Sequence, residues 1–136
     1  MTPNRSEAFA LAGMYCSDPV KVEKDMALIQ VAANIMESWT PENLLITLGH
    51  QGMALFPHGS KKPFVIPTIA REVFDVSGAG DTVISTYTLF SVAGATPVEA
   101  ALVSNQAAGV VVGKAGTAVT NRSELMKSFN MEMKIS

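Results

Sequence analysis

The chain is poor in cysteine, in charge and in long apolar runs. Its one cysteine, Cys16, cannot form a disulfide within the chain, so a reducing compartment is the natural expectation. Charged residues make up 16% of the chain and hydrophobic residues 48%, which excludes a disordered polypeptide. No apolar run approaches the roughly 20 residues of a membrane helix, and no signal-peptide core follows Met1. We therefore expect a soluble, cytoplasmic protein.

Positive charge is also scarce. The net charge is −2, and no run of five basic residues occurs, so neither a nucleic-acid face nor a polybasic membrane patch is expected. The two histidines, His50 and His58, stand in no metal-ligand spacing. Any anionic ligand must therefore be held by local backbone geometry. The length of the chain, residues 1–136, fits a single domain with one core.

Apolar periodicity and capping residues predict alternating helices and short strands. Asp18-Pro19 is a strong helix start, and the helix after it should run to about Ser38 with one apolar stripe. The stripe consists of Val22, Met26, Ile29, Ala33 and Met36. The other predicted helices are residues 5–12, Gly78 to about Ala93, Pro97 to about Val112, and 122–129. The helix from Pro97 should carry Val98, Ala101, Leu102, Asn105 and Ala108 on one side.

The strand predictions complete an α/β pattern. A short apolar run bounded by proline and glycine, residues 43–48, reads as a buried strand. Further extended pieces are predicted at Met53–Pro57, 64–67, 71–75 and Thr117–Thr120. Helices that alternate with short buried strands predict an α/β fold, with a layered sheet flanked by helices.

The most informative segment is Asp75-Val-Ser-Gly-Ala-Gly-Asp-Thr82, between an extended run and a helix. Its two glycines let the backbone turn tightly and approach a ligand closely. Unpaired N–H groups at the helix start would then form an anion site. Asp81 would lie beside the anion and could accept a proton from an attacking hydroxyl. The alternative is a plain helix cap, and the segment alone leaves both open.

Three weaker patterns have structural alternatives. In Thr47-Leu-Gly-His-Gln-Gly52 the glycines would let a nucleotide approach the end of a strand, but a tight turn between strands is the more ordinary explanation. Asn4-Arg-Ser-Glu7 is nearly a capping box, or its two polar side chains lie near a hydrated Mg²⁺. Asn105 either faces solvent or lines an adenine pocket, and Lys114 is read as a helix-end charge.

In this order, these segments resemble the PfkB/ribokinase family of carbohydrate kinases over essentially the whole chain. Asp75–Thr82 is close to the second signature of that family, Asn4–Glu7 to its Asn-x-x-Glu motif, and Thr47–Gly52 to its nucleotide loop. Within the family, Gln51-Gly-Met53 and Asn105–Lys114 look most like the kinase part of bifunctional heptose-7-phosphate kinase/adenylyltransferases.

The resemblance implies an ATP- and Mg²⁺-dependent kinase that acts on a sugar or sugar phosphate. By position, Asp81 would be the catalytic base, and Gly78, Ala79 and Gly80 would form the anion hole. Thr47, Gly49, Gly52 and Asn105 would border ATP, and Asn4 and Glu7 would act near Mg²⁺ through water. Asp75 would help to hold a monovalent cation in relatives that use one, although Val76 and Ser77 depart from the commoner Thr-Thr.

Members of the family are considerably longer, and the half that carries their sugar contacts has no counterpart here. The chain is therefore expected to be a fragment: a truncated chain, a proteolytic product or the product of a split gene. Three possibilities follow for it: the catalytic part of a kinase, a remnant that binds nucleotide without catalysis, or a piece that self-associates through an uncovered sheet edge. We expect the isolated chain to be an inactive homo-oligomer.

Overall fold

The computed structural model describes residues 1–60, 62–69, 78–114 and 119–133, with side chains as far as residue 130. The chain divides into two compact units, Met1–Pro67 and Thr68–Ser136, and each is described by itself. The first unit contains helices α1 (Arg5–Leu11) and α2 (Met26–Trp39) and strands β1 (Asn43–Thr47), β2 (Met53–Pro57) and β3 (Phe64–Ile66). The described part of the second unit contains α3 (Ala79–Val92), α4 (Pro97–Val112) and α5 (Arg122–Met133).

The three strands form an antiparallel sheet in the order β1, β2, β3. In the central pairing Leu45 lies opposite Leu55, and both side chains are fully buried. The predicted strands at 43–48 and Met53–Pro57 are confirmed, and β3 falls within the predicted extended piece at 64–67. The extended piece predicted at 71–75 lies outside the described residues.

The N-terminal residues run beside β1 in the parallel direction. The Leu45 and Thr47 amides donate to the carbonyl oxygens of Met1 and Pro3 at 2.9 and 3.0 Å. The Met1 ammonium donates to the Asn43 carbonyl at 2.8 Å, and burial lowers the pKa of that ammonium. This pairing brings the start of α1 next to the end of β1.

A buried ion pair joins the starts of α1 and α2. Arg5 Nη1 lies 2.7 Å from Asp25 Oδ2, and the two side chains are 13% and 3% exposed. Asp25 also caps α2, since its Oδ1 accepts a hydrogen bond from the Leu28 amide at 2.9 Å. The Arg5 guanidinium lies 4.9 Å from the centroid of the Phe9 ring. One carboxylate therefore closes the first turn of α2 and neutralises a buried cation.

The predicted start of α2 at Asp18-Pro19 is wrong. Asp18 is exposed in a stretch without helix, a 3₁₀ turn follows at Val22–Lys24, and α2 begins directly after Asp25. Both aspartates satisfy the local capping rule. Asp25 caps the helix because it also forms an ion pair with the Arg5 guanidinium. Arg5 is distant in the sequence, so no local pattern predicts this contact. The predicted end near Ser38 is confirmed.

The predicted apolar stripe is confirmed only in part: Val22 is buried just before α2 and Met36 packs against the core, but two other positions are exposed. Met26 is 71% exposed, and Ala33 is exposed as well. The buried positions are instead Leu28, Val31, Ala32 and Ile35. The helix has apolar residues on more than one side, so periodicity alone permits two faces. Packing into the core that α2 shares with the β1 and β2 side chains selects one of them.

Local signals predicted α3 and α4 well. The predicted helices, Gly78 to about Ala93 and Pro97 to about Val112, match the observed bounds within one residue. In α4, Thr96 and Glu99 form a capping box, and Pro97 occupies the first helical position. Hydrogen bonds from the Thr96 side chain and amide lower the pKa of the Glu99 carboxyl.

Small side chains dominate the buried face of α4. The buried residues there include Ala100, Ala101, Ser104, Asn105, Ala107 and Ala108. Val83 and Tyr87 of α3 are buried as well. Because the buried side chains of α4 are small, they allow the backbones of two helices to approach closely. The predicted buried side is confirmed at Ala101, Asn105 and Ala108. It is wrong at Leu102, which is 43% exposed.

The last helix is longer than the predicted 122–129. Of the strand predicted at Thr117–Thr120, Val119 and Thr120 are not in a strand, and its first half lies outside the described residues. The α/β fold class is confirmed. Within the described ranges, no helix combines the length and the apolar character needed to cross a membrane.

Candidate active site

A cleft of about 340 Å³ opens at the N-terminal end of α3 in the second unit. Its walls come from the first two turns of α3 and from a short loop before α5. The described residues that line it are Gly78, Asp81, Thr82, Ser85, Thr86, Val119 and Thr120. The signature segment predicted from the sequence therefore contributes Gly78, Asp81 and Thr82 to one cavity.

At the start of α3, several backbone donors have no partner among the described residues. Gly78 is the N-cap residue, with φ at 79°, and it provides no side-chain cap. In the described part of the chain, the N–H groups of Ala79, Gly80 and Asp81 have no hydrogen-bond acceptor. Three free N–H groups with the positive end of the helix dipole behind them favour an anion.

The two glycines of this segment have different reasons to be glycine. Gly78 has a positive φ, which a side chain rarely adopts. Gly80 lies inside the first helical turn, and a Cβ built there would meet nothing within 4 Å. A glycine in a helix costs up to about 1 kcal/mol relative to alanine. Nothing within the described fold explains that cost, whereas close approach of a ligand would.

Asp81 differs from the acidic residues that begin other helices. In α1, α4 and α5 the third helical residue is Glu7, Glu99 and Glu124, and each carboxylate accepts a hydrogen bond from the N-cap amide. Asp81 occupies the third position of α3, but it is exposed and has no hydrogen bond or ion pair in the described residues. Asp81 is one of the residues that line the cleft.

Hydroxyl groups complete the lining of the cleft. Thr82 Oγ1 donates to the Gly78 carbonyl at 2.9 Å, which holds the first turn together. Ser85 and Thr86 lie one turn further along the same face. Thr120 Oγ1 is buried without a hydrogen-bond partner in the described chain. Sequence reasoning missed these last three residues; Ser85 and Thr86 were detectable from their four-residue spacing after Asp81 and Thr82.

Asn105 is not among the described residues that line the cleft. It is 6% exposed and lies on the buried face of α4, so the solvent-facing alternative is wrong. Its place beside ATP stays a prediction. Asp75 lies outside the described residues, and its predicted role with a monovalent cation also stays a prediction.

The first unit brings Asn4, Glu7 and Thr47 to one place. Asn4 forms a parallel bridge with Thr47 at the end of β1. Asn4 and Glu7 form a complete capping box: Asn4 Oδ1 accepts from the Glu7 amide at 2.9 Å, and Glu7 Oε2 accepts from the Asn4 amide at 2.8 Å. The capping alternative is therefore confirmed. No group of three or more histidine, cysteine or acidic residues that could hold a metal ion occurs among the described residues.

The segment Thr47–Gly52 forms a tight connection between antiparallel strands. A 3₁₀ turn at Gly49–Gln51 links β1 to β2, and the Leu48 amide donates to the Gly52 carbonyl at 2.8 Å. Gly49 and Gly52 have φ values of 59° and 87°, so both glycines are required by the turn itself. The turn alternative is confirmed, and contact with a nucleotide stays a prediction.

The fold is that of an α/β protein with a cleft at a helix start, and comparison with known proteins identifies the family. Residues 1–124 match the family described as pfkB family carbohydrate kinase. The chain belongs to this family of carbohydrate kinases. The family resemblance predicted from the three sequence motifs is therefore confirmed.

The curated relatives carry the name bifunctional protein HldE. The chain is 46% identical over 125 residues to the protein from Desulfatibacillum aliphaticivorans, covering 92% of this chain and 24% of the relative. It is 43% identical over 130 residues to the protein from Shewanella piezotolerans, covering 96% of this chain and 26% of the relative. The chain thus spans about a quarter of the length of these relatives, and the predicted likeness to a bifunctional branch is confirmed.

Solved structures confirm the ribokinase-like fold. The ribokinase from Arabidopsis thaliana, solved with ribose and ATP, superposes with a TM-score of 0.75 at 26% identity, covering 93% of this chain and 39% of that one. Phosphofructokinase-2 from Escherichia coli superposes with a TM-score of 0.79 at 18% identity, covering 96% of this chain and 40% of that one.

Proposed function

We propose that this chain forms the ATP-binding and catalytic part of a carbohydrate kinase, which phosphorylates a hydroxyl group of a sugar or sugar phosphate. The observation that carries the proposal is the start of α3, where Gly78 and Asp81 line one cleft. Among the described residues, neither the first three N–H groups of this helix nor the Asp81 carboxylate has a hydrogen-bond partner. Membership of the pfkB family supports it, as does the relative from Arabidopsis thaliana, which was solved with ribose and ATP.

In the proposed reaction, the backbone at Gly78, Ala79 and Gly80 forms the anion hole for the transferred phosphoryl group. Asp81 takes the proton of the acceptor hydroxyl as that oxygen bonds to the γ-phosphorus of ATP. The bond from the γ-phosphorus to the bridging oxygen breaks, and ADP leaves. Positioning and charge stabilisation supply most of the rate in such transfers.

The charge of the bound phosphates needs a partner beyond the anion hole. Among the described residues Lys114 is close in sequence to the cleft loop, but its ammonium is bonded to Glu124 and to the Val119 carbonyl. We propose that Mg²⁺, when bound, supplies the positive charge. By the family resemblance, Asn4 and Glu7 of the first unit would act near Mg²⁺ through water, and the capping box occupies one Glu7 carboxylate oxygen.

The remaining assignments follow the family resemblance. We propose that Thr47, Gly49, Gly52 and Asn105 border ATP, and that Asp75 contributes to a monovalent cation site. A cytoplasmic location is proposed as well, and the single, unpaired Cys16 supports it.

The proposal is tested by Gly80→Ala in this chain. A Cβ at Gly80 meets nothing within 4 Å. The substitution should therefore leave the free energy of unfolding unchanged or raise it by up to about 1 kcal/mol, which thermal unfolding would measure. The affinity for ATP, measured by calorimetry with Mg²⁺ present, should fall at least about tenfold, since the methyl group occupies the space that the phosphate needs.

The matched variant is Gly78→Ala, which forces alanine into a left-handed conformation. It should destabilise the protein by about 1 to 2 kcal/mol. Wild-type ATP affinity in Gly80→Ala would show that α3 begins with an ordinary helix cap. A wild-type chain that binds neither ATP nor inorganic phosphate would contradict the proposed site as a whole.

A second candidate function concerns the chain by itself: it binds nucleotide but transfers nothing, and it self-associates. The support is its coverage, about a quarter of the HldE relatives, together with exposed apolar side chains on α3, among them Leu89 and Val92 at 65% and 84% exposure. We expect light scattering to give at least twice the mass of one chain, and no sugar-dependent ADP release. A monodisperse monomer or measurable turnover would contradict this expectation.

A further inference from the structure

One wall of the cleft is a loop without regular secondary structure. Val119 and Thr120 line the cavity opposite the first turns of α3. They belong to neither a helix nor a strand. A ligand that fills the cleft must contact this wall, so its position decides the shape of the cavity. The contacts that hold the loop in place are therefore part of the site.

Two charged side chains outside the cleft hold this loop. The Lys114 ammonium, just after the end of α4, donates to the Val119 carbonyl at 2.7 Å and to Glu124 Oε1 at 2.8 Å. The other oxygen of Glu124 accepts from the Asn121 amide at 3.0 Å. Lys114 and Glu124 therefore form hydrogen bonds with Val119 and Asn121, the residues on either side of Thr120.

The contacts of Lys114 and Glu124 indicate a structural role for both side chains. Two of the three ammonium protons of Lys114 are already bonded, and the side chains of Lys114 and Glu124 are only 32% and 35% exposed. Glu124 also completes the capping box of α5, since its amide donates to Asn121 Oδ1 at 3.1 Å. The hydrogen bond from Lys114 and that from the Asn121 amide lower the pKa of the Glu124 carboxyl.

We propose that Lys114 and Glu124 form a positioning pair that holds the Val119–Thr120 wall in place, so that the cleft is shaped before its ligand binds. Neither residue needs to contact the ligand. The inference rests on the proposed function, which supplies ATP as the ligand, and it adds two residues that determine how well the site binds.

The test compares Lys114→Met, Lys114→Arg and Lys127→Met in the 136-residue chain. Lys127 is an exposed lysine on α5 without a hydrogen bond in the described residues, so its substitution removes the same charge and leaves the wall bonded. In Lys114→Met the backbone order parameters of Val119 and Thr120, from ¹⁵N relaxation without ligand, should fall from about 0.85 to below about 0.6. ATP should bind about three- to tenfold more weakly, measured well below the unfolding temperature.

Lys114→Arg should recover most of both properties, because arginine keeps the charge and can donate to both acceptors. Lys127→Met should change neither. The proposal is overturned if Lys114→Met leaves the order parameters unchanged, or if it loosens the wall while ATP binds as in the wild type. A wild-type chain that does not bind ATP would refute the proposed function instead, and the ligand-free order parameters would still decide whether the pair holds the wall.

Discussion

Replacing Asp81 by asparagine is expected to lower the turnover of the active kinase by a factor of about 10² to 10⁴, with ATP affinity within about threefold of the wild type. Asparagine has nearly the same size and keeps the helix start, but its amide cannot take the proton of the acceptor hydroxyl. Turnover is measured after this chain replaces the matching segment of HldE from Desulfatibacillum aliphaticivorans, to which it is 46% identical. ADP release is then followed with the acceptor sugar of that relative.

The matched control is Glu99→Gln. Glu99 is also the third residue of an exposed helix start in the second unit, but its carboxylate is bonded to Thr96 in a capping box. Its substitution should leave turnover unchanged. If Asp81→Asn kept wild-type turnover in an active chimera, Asp81 would not be the base. Equal losses in both variants would indicate a general effect of charge at helix starts.

Replacing Asp25 by alanine is expected to lower the free energy of unfolding of the first unit by about 3 to 5 kcal/mol. The substitution leaves the Arg5 guanidinium, which is 13% exposed, buried without its counter-charge. It also removes the cap at the Leu28 amide, which by itself contributes about 1 kcal/mol. Urea unfolding followed by the fluorescence of Trp39 measures the change, because the only tryptophan lies in this unit.

Asp18→Ala is the control for this prediction. Asp18 is exposed and caps no helix, so its substitution should change stability by no more than about 0.5 kcal/mol. In an Arg5→Met background, Asp25→Ala should cost less than it does alone, since no buried cation remains unpaired. If Asp18→Ala were as destabilising as Asp25→Ala, the capping of α2 by Asp25 would be contradicted.

The helix bounds that sequence reasoning predicted correctly are those with signals at both ends. For α4, Thr96 and Pro97 mark the start, and Gly113 follows the last helical residue. The glycines Gly78 and Gly94 bracket α3 in the same way, both with positive φ. Caps of this kind involve groups within four residues of one another, so the local sequence contains all the partners that the interaction needs.

The errors in α2 have a different origin. Asp18-Pro19 satisfied the same local rule, but the carboxylate that caps the helix is Asp25, which is also paired with Arg5. The buried face was misassigned because α2 has apolar residues on more than one side. Which side is buried depends on the sheet against which the helix packs, and a periodicity within one segment carries no information about that sheet.

For the candidate site as well, the sequence predicted some features and the tertiary structure added others. The sequence located the glycine-rich start of α3 and Asp81, but it could not separate an anion site from a plain cap. The proposal of an anion site rests on comparing helix starts: Glu7 and Glu99 are bonded within capping boxes, whereas Asp81 has no such bond among the described residues. Thr120 had no local signal at all, since it joins the cleft only through the fold of the second unit.

The amino-acid sequence by itself determined the α/β class, the family motifs and the ends of α3 and α4, because each depends on composition or on interactions within one turn of the chain. Tertiary structure decided which aspartate caps α2, which faces are buried, and that Lys114 is bonded to the cleft wall while Asp81 has no partner among the described residues. These outcomes depend on contacts between segments that are distant in the chain, and the energy of such a contact is not a property of either segment alone.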